Sequence, residues 1–183
     1  MKPLVAALLF AFVPVVASAG EVRVPGEPWS IRFDSPELTG HQEKGGAGDD
    51  YAYQGKGGRF FLTFYVEKPR GKGGSHADCH AFYWKHISRK QGFDPASLKT
   101  TKTKRFVRAE YDLVVPSEDG GARLHNVNYF FAYGGKWADF HVSMSAPEPG
   151  DAAVFAAFDK SLTYGPASKA PEKAPPVSPS KPG

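Results

Sequence analysis

The sequence predicts an α+β domain: an antiparallel β-sheet of about six strands with two main helices packed on it. Three observations carry this. Residues 123–145 (R-L-H-N-V-N-Y-F-F-A-Y-G-G-K-W-A-D-F-H-V-S-M-S) read as two aromatic and β-branched strands around Gly134-Gly135, a pair that supplies the positive φ angles of a tight hairpin turn. Other segments alternate apolar and polar residues at strand period. Two further segments carry apolar residues at helical spacing between capping and breaking residues.

The elements follow in order. Residues 1–19 carry Lys2, an apolar run over 4–16 and the small residues Ala17-Ser18-Ala19, the pattern of a secretory leader whose removal leaves Gly20 first. Residues 27–34 alternate Trp29, Ile31 and Phe33 against polar neighbours, and Pro36 stops the strand. Residues 38–43 and 51–54 read as short strands, separated by the glycine-rich turn 44–50. Residues 59–68 are a strong strand, with Phe60, Leu62, Phe64 and Val66 on one face and Phe61, Thr63, Tyr65 and Glu67 on the other. Ser75 can cap a helix over 76–90 on one side of which lie Cys79, Phe82, Tyr83, His86 and Ile87, and Gly92 and Pro95 end it. Residues 103–115 read as one long strand, then the hairpin, then a last helix over 150–162 with Val154, Phe155, Phe158 and Leu162 as its stripe.

Counting across the two-residue turn pairs Tyr133 with Lys136, Phe131 with Ala138, Tyr129 with Phe140, Val127 with Val142 and His125 with Met144. That face is mostly apolar. The other carries Asn126 opposite Ser143, Asn128 opposite His141, Phe130 opposite Asp139 and Ala132 opposite Trp137.

Residues 20–164 are one domain's worth of chain, with aromatics enough for a core. Residues 165–183 are rich in Pro, Ala, Ser and Lys and read as a disordered tail. Cys79 is the only cysteine, so no internal disulfide forms and stability rests on packing. The formal charge of +4 is mild, and the basic run 99–105 reads as a solvated strand start.

The order of elements over residues 27–164, with the helix run C-H-A-F-Y-W and the strand G-K-W-A-D-F-H, resembles the PsbP-like fold. The resemblance implies an antiparallel sheet with helices packed on it, an exported bacterial protein, and an accessory or binding module rather than a catalyst. It brings no site residues with it.

The candidate site is the polar side of the hairpin: Asn126, Asn128, Asp139, His141 and Ser143, joined by Arg108, Glu110 and Asp112 if the strand 103–115 turns its apolar side to the same core, with Thr63 and Tyr65 nearby. Arg108 suits an anion, and Asp139 with His141 suits proton transfer or a metal. His76 and His80, one helical turn apart, are candidate metal ligands. A Cys79 nucleophile with His86 or His141 as base needs an exposed thiolate, whereas the helical pattern turns Cys79 inward. No nucleophile elbow, zinc-protease, phosphate-loop or dinucleotide motif occurs, and no cofactor is expected. The sequence therefore predicts an exported, periplasmic or secreted, monomeric binding or accessory protein. Its partner is a small molecule or an envelope protein, with no nucleic acid and no transmembrane span once the leader is removed. The rival is a metal-dependent or hydrolytic enzyme using His76, His80 or His141.

Overall fold

The computed structural model describes residues 18–46, 50–116 and 121–167. Most of the predicted leader and of the predicted tail lies outside the described residues, as does part of the expected turn 44–50. The elements run β1 (Ser18–Arg23), β2 (Trp29–Ser35), β3 (Gly40–Lys44), β4 (Tyr51–Gly57), β5 (Phe60–Glu67), α1 (His76–Ile87), β6 (Phe93–Lys102), β7 (Val107–Val115), β8 (Ala122–Tyr133), β9 (Lys136–Ser145), α2 (Asp151–Ser161) and β10 (Thr163–Pro166). Seven strands form one antiparallel sheet in the order β3-β4-β5-β9-β8-β7-β6, and β1-β2-β10 form a second. The fold is α+β, with a sheet larger than the six strands expected.

Three further strands account for the difference. β6 contains Pro95 and a register shift between Asp94 and Lys99, so it carries no clean alternation, and it occupies an edge where a missing N–H is tolerated. β1 begins at Ser18, inside the predicted leader, and runs through the predicted cleavage site between Ala19 and Gly20. β10 begins at Thr163 and takes Gly165 and Pro166, the first residues of the expected tail, into pairing with Ser30 and Trp29.

The central hairpin β8–β9 has the register that its turn dictates, Tyr133 opposite Lys136 through Val127 opposite Val142. Gly134 and Gly135 both take positive φ, 59° and 75°. One face of the large sheet is covered by the small sheet and α2, the other by α1 over part of its width. On one, Phe60, Phe64, Tyr129, Phe131, Phe140 and Val142 pack against Ile31 and Phe33 of the small sheet and Phe155 and Phe158 of α2. Phe158 sits within 5.4 Å of Phe140 and 5.6 Å of Tyr129, ring centre to ring centre. On the other face, α1 lays Cys79, Phe82, Tyr83 and Ile87 over Val107, Ala109, Tyr111, Phe130 and Trp137. Trp137 and Phe130, which the pattern places on the polar side, are thus the floor beneath a helix.

The placement of α1 follows from its ends. Ser75 Oγ accepts from the Asp78 N–H while the Asp78 carboxylate accepts from the Ser75 N–H, a reciprocal cap that starts the helix at His76. The helix stops at Ile87, short of the expected 90, and the chain turns at Gly92 with φ 78°. No helix among the described residues is long and apolar enough to cross a membrane.

Candidate functional site

α1 covers the polar face only from β7 to β9. Beyond it, β5, β4 and β3 present the same face uncovered, and the register builds a grid there. Gln42 stands opposite Gln54, Gln54 opposite Thr63, Thr63 opposite His141 and His141 opposite Asn128, so one polar row crosses five strands. One row to one side lie Lys56, Phe61 and Ser143; one row to the other lie Lys44, Ala52, Tyr65 and Asp139. Phe61 and Tyr65 remain 37% and 46% exposed. A depression of about 400 Å³ is lined by Gln42, Gln54, Lys56, Phe61 and Thr63, and a second of about 320 Å³ by Lys44, Tyr65, Glu67 and Arg70.

Asp139 and His141 sit at the seam where the helix ends and the open sheet begins. Asn128 donates to Asp139 Oδ1 at 2.6 Å and accepts from the Tyr111 hydroxyl at 3.0 Å. Burial pushes the Asp139 carboxyl up to about 7, only partly offset by the Asn128 bond and the Lys90 charge. His141 donates from Nε2 to Asn126 Oδ1 at 3.0 Å, and the Thr63 hydroxyl lies 3.4 Å from its Nδ1. Asn126 is fixed in turn by donating to the Leu124 carbonyl at 2.8 Å. Burial and Lys90 together push the His141 imidazole down to about 4, so it is neutral at physiological pH. Glu67 closes the seam: it accepts from the Tyr83 hydroxyl of α1 and pairs with Arg70 at 2.6 Å.

The structure thus brings Asn126, Asn128, Asp139, His141, Ser143, Thr63 and Tyr65 onto one face, but separates Arg108 and Glu110 from them. Arg108 stands opposite Tyr129 and Glu110 opposite Val127, so both lie on the α2 side. The expectation fails because β7 is buried on both faces: Ala109 and Tyr111, its apolar set, belong to the core under α1 rather than to the larger one. There Arg108 bridges Asp159 at 2.9 Å and Glu110 at 2.7 Å, and His125 bonds Asp112 at 2.8 Å. Burial alone would raise the carboxyls of Glu110 and Asp112, but the Arg108, Arg123 and His125 contacts outweigh it and hold both below the usual range. The groove they border, about 330 Å³ against α2, is lined by these paired charges and by Phe155 and Ala156 of α2.

His76 and His80 do separate jobs. The Ala132 N–H donates to His76 Nδ1 at 3.0 Å and His76 Nε2 lies 3.3 Å from the Lys104 carbonyl, which occupies both nitrogens with main chain. His80 stacks on Trp84 and meets Phe130 edge-on, its Nε2 buried without a partner and its pKa lowered by burial. Among the described residues no three His, Cys, Asp or Glu side chains are grouped to hold a metal ion. Cys79 is fully buried, its thiol 3.4 Å from the Ala138 carbonyl and its pKa raised by burial, the opposite of what a nucleophile needs.

No protein-family model matches the chain, and no curated protein matches it. A solved structure from Bacteroides thetaiotaomicron VPI-5482 is similar at a TM-score of 0.44 and 13% sequence identity, over 81% of this chain. This chain spans 48% of that structure's chain. A likeness at this level carries no argument about fold or function, and the chemistry of the face stands on its own residues.

Gln42, Gln54, Lys44 and Lys56 are the site residues that sequence reasoning missed. Alternation through Y-A-Y-Q-G-K-G would have placed Gln54 and Lys56 beside Thr63 and Phe61, had the strand been carried past Gln54 into its glycines.

Proposed function

We propose that the chain is an exported binding or accessory protein, without catalysis of its own, that holds a polar ligand on the uncovered half of this sheet face. One observation carries the reading: the open part of the row, Gln42–Gln54–Thr63 with His141 at its edge, flanked by the partly exposed rings of Phe61 and Tyr65. Amides and a hydroxyl on rigid strands offer fixed donors and acceptors, and exposed rings offer apolar area at little entropic cost. The rival, an enzyme using His76, His80 or His141, finds less support. His76 is held by main chain, His80 is enclosed by rings, and His141 bonds an amide rather than the carboxylate that would orient a base. The PsbP-like element order and the leader-like N-terminus agree with an exported accessory module.

The test is a thermal-shift screen of saccharides, peptides and small polar solutes against the wild type and the Gln54→Ala, Thr63→Val and Tyr65→Ala variants. The reading expects at least one ligand class to raise the wild-type midpoint and not those of the variants. It is overturned if no class separates them.

A further inference from the structure

The grid also carries a pattern of charge. Lys44 and Lys56 stand four residues' worth of strand apart on neighbouring strands, at opposite corners of the open half. Neither makes an ion pair among the described residues, while Lys56 Nζ lies 5.3 Å from the centre of the Phe61 ring. Lys90 approaches from the end of α1, near enough to act on both Asp139 and His141. The carboxylates that border this face are engaged. Asp139 is buried against Asn128, Glu67 is bonded to Tyr83 and Arg70, and Asp50 is bonded to Arg70 at 2.6 Å. Asp50 and Glu67 share the single guanidinium of Arg70, so the Lys44 corner balances two cations against two carboxylates, whereas the Lys56 corner carries a cation with no carboxylate lining its depression; the ground between them is uncharged: Gln42, Gln54 and Thr63. Neither glutamine makes a side-chain hydrogen bond among the described residues, so their donors and acceptors face outward unsaturated.

We propose that the open half binds an acidic oligosaccharide, a hydroxyl-rich chain bearing carboxylates. Lys44 and Lys56 meet the carboxylates, Gln42, Gln54 and Thr63 exchange hydrogen bonds with hydroxyls, and Phe61 and Tyr65 pack against ring faces. The inference rests on the binding reading above and names its ligand class. The ammonium groups of Lys44 and Lys56, neither of them ion-paired among the described residues, match anionic groups spaced along a chain, and the amides between them match the uncharged hydroxyls of such a chain. A single-stranded nucleic acid fits less well. It carries a phosphate at every repeat and is gripped by a continuous basic track with ring after ring in succession. Here the two rings lie four residues apart on β5, about 13 Å at about 3.3 Å per residue, with neutral groups between.

The experiment is calorimetric titration of the full chain with a galacturonic acid hexamer, a galactose hexamer and a single-stranded oligonucleotide. It uses the wild type, the double variant Lys44→Gln/Lys56→Gln, and Tyr65→Ala. The proposal expects the acidic hexamer to bind roughly tenfold tighter than the neutral one, with the double variant erasing most of that margin. Tyr65→Ala should weaken both sugars by up to about tenfold. Raising salt from about 0.05 M to about 0.5 M should weaken only the acidic sugar. Equal binding of the two hexamers overturns the proposal and leaves the binding reading standing. So does tighter binding of the oligonucleotide, or an acidic-sugar affinity untouched by the double variant but lowered by Tyr65→Ala. Failure of both sugars to bind overturns the proposal and returns the binding reading to its own screen. Sugar affinity unchanged in both variants overturns the two together.

Discussion

Replacing Asp139 by Asn should stabilise the protein, by an amount that grows with pH. The carboxyl is buried, and its folded-state pKa is about 7 against an ordinary 3.8. A raised carboxyl pKa means that the folded state holds a proton the unfolded chain has released. Its contribution is therefore fully present below about pH 4 and is lost as pH rises through 7. At about 1.4 kcal/mol per pKa unit, the shift is worth about 4 kcal/mol at pH 8. An amide at this position keeps the oxygen that accepts from Asn128 and carries no charge to bury. The groups around it are Asn128 on β8, with Tyr111 of β7 one bond further on, Glu67 on β5, Cys79 on α1, and Lys90 just beyond α1. His141 works in the opposite direction: its folded-state pKa is about 4, so the folded state resists protonation and stability rises with pH from about 4 to 6.5, by about 3 kcal/mol. The two slopes largely cancel in the wild type, which should show a shallow curve across that window. The assay is urea unfolding of wild type and Asp139→Asn at pH 4, 6 and 8. The difference should be near zero at pH 4 and reach a few kcal/mol at pH 8. A difference that does not change with pH would refute the reasoning, because the carboxylate would then be solvated in the folded state.

Arg108→Met should cost about 3 kcal/mol in chemical unfolding, because it leaves Glu110 and Asp159 without the cation that bridges them under α2. Asp112→Asn should cost stability at pH 7 and progressively less as pH falls through the depressed pKa of that carboxyl; urea midpoints at several pH values read this directly. Gly92→Ala should lower the melting midpoint more than Gly58→Ala. Both glycines have positive φ, but a Cβ at 92 would meet the Val114 carbonyl oxygen at 2.0 Å whereas one at 58 meets nothing within 4 Å. Cys79 should react with a disulfide reagent at the rate of unfolding or local opening, slowly in buffer and at once in denaturant.

The parts of the fold that were legible are those where one local rule acts alone. The Gly134-Gly135 turn fixes the register of β8 and β9, and every pair counted from it stands in the structure. The α1 cap needs only Ser75 and Asp78. β7 was misassigned in facing because alternation marks two sides of a strand without saying which is outside. With α1 over one face and α2 under the other, Arg108 and Glu110 were polar residues inside a core boundary rather than at its surface. β10 was hidden because its partner β2 lies far along the chain; β6 was hidden by Pro95 and the register shift between Asp94 and Lys99, and β1 because its residues carry the small-residue pattern of a cleavage site. Asn128, Asp139 and His141 were correctly grouped. The half of the face that stays open was not foreseen, because where a helix stops covering a sheet is set by tertiary packing.

The most direct test of the central claim is a backbone-resolved NMR titration of the chain with the acidic hexasaccharide. The account predicts that shift changes gather at Gln42, Lys44, Gln54, Lys56, Phe61, Thr63, Tyr65 and His141, with the α2 groove around Arg108 and Asp159 unmoved. Changes centred on that groove, or spread evenly over both faces of the sheet, would contradict it.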